Sequence, residues 1–95
     1  MIKTVEEILK VADDSVSLII DINTYGALSK FLPFKASQSE VIETLQRNVV
    51  HLETILAYDG NGNNVPDVAG STADKSSYTA AITTGKDYIA ANSGE

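Results

Sequence analysis

Between Ser37 and Leu56, apolar residues recur as Ile42, Leu45, Val49, Leu52 and Leu56, separated by three, four, three and four positions. At 3.6 residues per turn this spacing draws one stripe along a helix and does not fit the two-residue alternation of a strand. Ser37, with Glu40 three residues later, forms a capping box in which each side chain satisfies a backbone amide of the first turn. Val41 and Ile55 widen the stripe to one side, while Gln46, Arg47, His51 and Glu53 fall off it. A helix with one apolar face must bury that face against something. The stripe lasts about two heptads, short of the three or four that mark a coiled coil. Two readings stay open: Ile42, Leu45, Val49, Leu52 and Leu56 are the core seam of a bundle, or they are an interface with another chain.

A second helix is predicted near the N-terminus. Thr4 and Glu7 match another capping box, and Val5, Ile8, Leu9 and Ala12 follow at i, i+3, i+4 and i+7. Val16, Ile19 and Ile20 extend that stripe, so the helix runs from about Val5 to Ile22 and at most to Phe31. Val16, Leu18, Ile20 and Ile22 also alternate as a strand would, with Asp13-Asp14-Ser15 as a turn before them. A strand needs a partner and no second strand-like run exists, so helix is the expectation. Asn23-Thr24-Tyr25-Gly26 weakens the helix, and Pro33 disfavours helical geometry at Leu32.

Residues 59–73 are rich in Gly, Asn, Ser and Pro and read as a long flexible loop. A last helix follows, capped by Ser76 or Ser77, with Tyr78, Ala81, Ile82, Gly85, Tyr88 and Ile89 on one face. Ala81 and Gly85 on that face would let a neighbouring backbone approach closely. A frayed tail is expected at about 92–95. The predicted fold is therefore all-α: one domain over 1–95, a small three- or four-helix bundle with a long Gly/Asn-rich loop before the last helix.

Thirteen acidic residues oppose seven basic ones, for a formal charge of −6. Phosphate backbones and anionic membranes repel such a surface, so neither nucleic acid nor membrane is an expected partner. Apolar runs such as Leu18-Ile19-Ile20 fall far short of the ~20 residues that span a bilayer. The chain has no cysteine and no recognisable signal segment at its start, which points to an intracellular, cytoplasmic setting.

Asp59, Asn61, Asn63 and Asp67 place oxygen-bearing side chains at positions one, three, five and nine of a Gly/Asn-rich segment. Calcium takes six to eight oxygen ligands, and alternate side chains of a tight loop can point to one centre. Over these nine residues the segment resembles the aspartate-rich calcium loops of EF-hand, dockerin and thrombospondin type 3 repeats, which implies a calcium site. It departs from them at Asn61 and Asn63, where aspartates are expected, at Asn64 in place of glycine, and at Gly70 where an EF-hand has glutamate. Asn-Gly and Asp-Gly are also turn formers in their own right, so a plain turn is the competing reading.

No catalytic constellation is found. His51 is the sole histidine and falls on the solvent side of its helix, with no nucleophile elbow around any serine. Glu6/Glu7 and Asp13/Asp14 are adjacent pairs that diverge around a helix, and Glu40/Glu43 complement a helix N-terminus. Gly60 and Gly62 lack the strand, helix and lysine of a phosphate loop. Tyr78 and Tyr88 read as core. Tyr25, Phe31 and Phe34 cluster at the break around Gly26 and Pro33, and core is expected over contact surface. The leading functional expectation is a non-catalytic structural or interaction subunit, self-associating or docking on a protein through a helix face. The alternatives are a calcium-binding module centred on Asp59–Asp67 and an acidic protein that occupies a basic partner surface.

Overall fold

The computed structural model describes residues 4–62 and 65–92. Three helices, α1 (Val5–Tyr25), α2 (Gln38–Leu56) and α3 (Ser76–Asn92), each pack on the other two, with a single 3-10 turn (Gly26–Leu28) after α1. Among the described residues there is no strand, only an isolated antiparallel bridge between Asp59 and Asp67. The fold is all-α, as the periodicities require, and the strand alternative for 16–22 is replaced by continuous helix.

Both predicted capping boxes form. Thr4 Oγ1 accepts from the Glu7 amide at 3.1 Å and Glu7 Oε1 from the Thr4 amide at 2.9 Å; Ser37 and Glu40 repeat the arrangement at 3.2 and 2.9 Å. The third cap differs from expectation. Asp74, not Ser76 or Ser77, does the capping: its carboxylate accepts from the Ser76 amide at 2.9 Å, while the Lys75 carbonyl receives the first helical hydrogen bond from Thr79. An aspartate before the first turn is as good a cap as serine and adds favourable charge at the helix N-terminus. That amide also holds the Asp74 carboxyl below its ordinary value.

The core is Ala12, Ile19 and Ile22 of α1, Val41, Leu45, Val49, Leu52 and Ile55 of α2, and Tyr78 and Ala81 of α3, closed at one end by Val68 from the loop. Leu45, Val49 and Leu52 of the seam are thus interior, whereas Ile42 and Leu56 are half-buried flanks. The stripe is centred one position towards Val41 and Ile55. Ile20, expected on the α1 stripe, is exposed because it is turned about 100° from the buried Ile19.

Tyr78 on the first turns of α3 donates to Asp13 at 2.7 Å and lies 3.4 Å from the Leu9 carbonyl, near the start of α1. At the far end the Tyr88 hydroxyl approaches Gly26, just past the end of α1. Helix α3 therefore runs parallel to α1 and antiparallel to α2.

Gly85 marks a close approach of α3 to α1 and α2. A Cβ added there would lie 2.6 Å from Val49 Cγ2 and 3.5 Å from Ile19 Cγ2. In an open helix, glycine to alanine stabilises by about 1 kcal/mol. Here the methyl meets a buried, β-branched side chain with little rotamer freedom, and overpacking costs about 1–3 kcal/mol. Gly85→Ala is expected to lower stability by about 1–2 kcal/mol in denaturant titrations, reversing the sign that helix propensity alone would give.

Burial, and then the hydrogen bond to Asp13 with its negative charge, push the Tyr78 phenol up to about 12 from 10.0. The fold favours the neutral phenol, so this contribution is complete below pH 10 and is lost as pH rises through about 12. The melting temperature should fall across that window, and Tyr78→Phe should flatten the fall while losing about 1 kcal/mol at neutral pH with the Asp13 bond. Circular dichroism melts of both proteins from pH 8 upward check this.

Candidate functional site

The segment between α1 and α2 turns large apolar side chains outward. Leu28 is 88% exposed, Phe34 91%, Tyr25 59% and Phe31 40%. The core expectation for Tyr25, Phe31 and Phe34 is therefore corrected: other residues anchor this loop, and the aromatics are left outside.

Gly26 ends α1 with φ 58, and its amide closes onto the Ile22 carbonyl. Only glycine takes that conformation without strain, and a side chain there would also press on the Tyr88 hydroxyl at 3.2 Å. The chain then folds back so that Ser29, 4% exposed, donates to Asp21 Oδ2 at 2.6 Å. Asp21 also accepts from the Lys30 amide at 3.3 Å, and Ser29 Oγ accepts from the Phe31 amide at 3.2 Å. Leu32 packs half-buried against the core, its amide on the Ser29 carbonyl, and the Ala36 amide closes onto Pro33. Asp21 and Ser29 thus pin the loop to α1 by polar bonds, which leaves Leu28, Phe31 and Phe34 on the outside.

Lys35 adopts φ 63, a left-handed conformation that costs a side chain about 1–3 kcal/mol and is found where the surroundings impose it. Lys30 Nζ lies 5.4 Å from the Phe31 ring centroid and Lys35 Nζ 5.6 Å from that of Phe34. An open hollow of about 380 Å³ lies between Leu28, Leu32, Pro33 and Phe34. Residues 25–37 carry two cations and no acid, in a chain of net charge −6.

In the Asp59–Asp67 loop, two of the four candidate calcium ligands bond to each other. The bridge sets Asp59 and Asp67 opposite each other, but Asp59 accepts from the amide and the side-chain nitrogen of Asn61 at 3.0 and 2.9 Å. These bonds hold the Asp59 carboxyl below its ordinary value. Asp67 accepts from the Gly70 amide at 2.8 Å, and Asn63 lies outside the described residues. Asn61 turns its nitrogen on Asp59, so the loop satisfies its own polar groups as an Asx turn does. Among the described residues no three His, Cys, Asp or Glu side chains could share a metal ion.

His51 has a partner that sequence spacing hid: Ser15, 36 positions away on α1, lies 3.2 Å from its Nδ1. Ser15 is 5% exposed, and among the described residues no carboxylate is hydrogen-bonded to His51, so the pair ties α1 to α2. Gln46, Arg47, Val50 and His51 border a shallow, open shelf beside it. Glu43 and Arg47, at 3.0 Å, form an exposed i,i+4 ion pair. No helix among the described residues is long and apolar enough to cross a membrane. No family model, no curated protein and no solved structure matches this chain.

Removing the Ser29 hydroxyl leaves Asp21 without its short bond and the Phe31 amide without an acceptor. Ser29→Ala is expected to cost about 1–2 kcal/mol and to speed amide exchange at Lys30 and Phe31 far more than in α2. Hydrogen exchange followed by NMR reads both effects.

Proposed function

We propose that this chain is a non-catalytic interaction subunit whose docking element is the loop 25–35. The observation that carries the reading is that Leu28 and Phe34 are almost wholly exposed on a backbone pinned by Asp21 and Ser29. Burying either side chain in a partner is worth about 1.5–3 kcal/mol, a gain that the monomer forgoes. An ordered loop also loses less conformational freedom on binding than a flexible one, so more of that gain appears as affinity. Contiguous exposed apolar side chains with a charged rim mark interaction surfaces. The two lysines suit an acidic rim on the partner, and the acidity of the chain as a whole disfavours anionic bilayers.

The site differs from the helix seam that the periodicity singled out, because Leu45, Val49 and Leu52 are occupied within the chain. A photo-crosslinking residue at position 34, compared with the same group at exposed Thr83 on α3, tests the proposal in the native host. The expected result is a discrete protein adduct at 34 that is absent at 83 and lost with Leu28→Asp. Lipid adducts at 34, no adduct, or equal adducts at both positions would overturn it.

A further inference from the structure

We infer that Asn61 is a site of spontaneous deamidation, at which water converts the side-chain amide to a carboxylate and loosens the loop that seats Val68 on the core. The inference is independent of the docking role of loop 25–35.

The reaction needs the backbone nitrogen of the next residue to reach the asparagine Cγ. Of the described asparagines, Asn61 alone lies outside a helix and precedes a glycine. Asn23 and Asn48 sit inside α1 and α2, where the following amides are spent on helical hydrogen bonds and Thr24 and Val49 add β-branched bulk. Asn92 ends α3 with its side-chain nitrogen on the Tyr88 carbonyl at 2.9 Å. Asn61 is exposed, and Gly62 brings no side chain to hinder the approach. Among the described residues no acceptor is bonded to the Gly62 amide. The bond from Asn61 Nδ2 to Asp59 Oδ2, at 2.9 Å, is exposed and competes with water. The neighbouring Asp59-Gly60 pair is spared the corresponding ring closure. Both bonds from Asn61 hold the Asp59 carboxyl below its ordinary value, and an ionised carboxylate is a poor electrophile.

The Gly62 nitrogen gives its proton to hydroxide and bonds to Asn61 Cγ. The Cγ–Nδ2 bond breaks, and that nitrogen takes a proton from water and leaves as ammonia. One water then opens the imide ring. Cleavage at Cγ gives an ordinary aspartate, and cleavage at the backbone carbonyl gives an isoaspartate, whose chain runs through Cγ. In both products Asp59 faces a second carboxylate where it had a donor, with Asp67 across the bridge, and like charges at this range repel. The iso form also adds a backbone atom between the two bridged residues. Just beyond the bridge stand Val68, fully buried, and Ala69, whose amide donates to the Tyr58 carbonyl at 2.7 Å.

Purified protein held for weeks in neutral and in mildly alkaline buffer, then analysed by ion exchange and peptide mapping that separates isoaspartate, tests the assignment. Asn61 should convert faster than Asn23 or Asn48 by about tenfold or more, since those react only when their helices open. Conversion should be faster in the alkaline buffer, with isoaspartate among the products, and Asn61→Gln should abolish the corresponding acidic form. Conversion at Asn61 no faster than at Asn23 and Asn48, a product free of isoaspartate, or an acidic form that accumulates unchanged in Asn61→Gln would overturn the site. Asn61→Asp reads the consequence separately: amide exchange at Ala69 should quicken severalfold while that of α2 stays as it was. Unchanged exchange at Ala69 would overturn the loosening.

Discussion

Ile19, Val49 and Gly85 bring all three helices to one point. The missing side chain at Gly85 lets the α3 backbone settle against Val49 and Ile19, and the remaining contacts are built outward from there. Tyr78 closes one end of the interface with α1 through Asp13, and Tyr88 closes the other beside Gly26. A chain this short buries only about 60–65% of its unfolded surface, so one close approach weighs heavily. The poor helix formers of α3, Thr79, Thr83, Thr84 and Gly85, are held by that contact rather than by propensity.

What could be read in advance follows from the range of each signal. Capping boxes and i,i+3,i+4 stripes are local, so α1, α2 and the two boxes at Thr4 and Ser37 were legible with no knowledge of the fold. The close-approach role of Gly85 was legible too, because small residues four apart on a buried face have few other uses. The direction of α3, the Ser15–His51 bond and the Asp21–Ser29 bond join residues by geometry that spacing does not encode. The Asp74 cap was hidden by two adjacent serines with equal claims.

The exposed loop was the least legible part, for a physical reason. Tyr, Phe and Leu are used in cores and in contact surfaces alike, and composition does not separate the two. What separates them is where the backbone's polar groups go. Ser29 is buried to satisfy Asp21 and the Phe31 amide, and once that small polar residue faces inward, Leu28, Phe31 and Phe34 have no inward position left. The calcium-like loop shows the converse. Asp59 and Asn61 carry the oxygens that suggested an ion, and their bond to each other is a local geometry that spacing alone did not announce.

Because α1 and α3 run parallel, the backbone dipoles of two helices point the same way and that of α2 cancels only one of them. The bundle is left with a partial positive charge at the end where α1 and α3 begin and a partial negative charge beside the loop. Glu6, Glu7 and Asp74 lie against the first, and none of the three described helices carries a basic residue in its last turn. Side-chain charge is thus laid out against the macrodipole where α1 and α3 begin, whereas beside the loop Asp21 and Asp87 accompany Lys30 and Lys35. The acids at the starts of α1 and α3 are what those helices themselves favour electrostatically, and a substitution that replaces them with cations strains the fold.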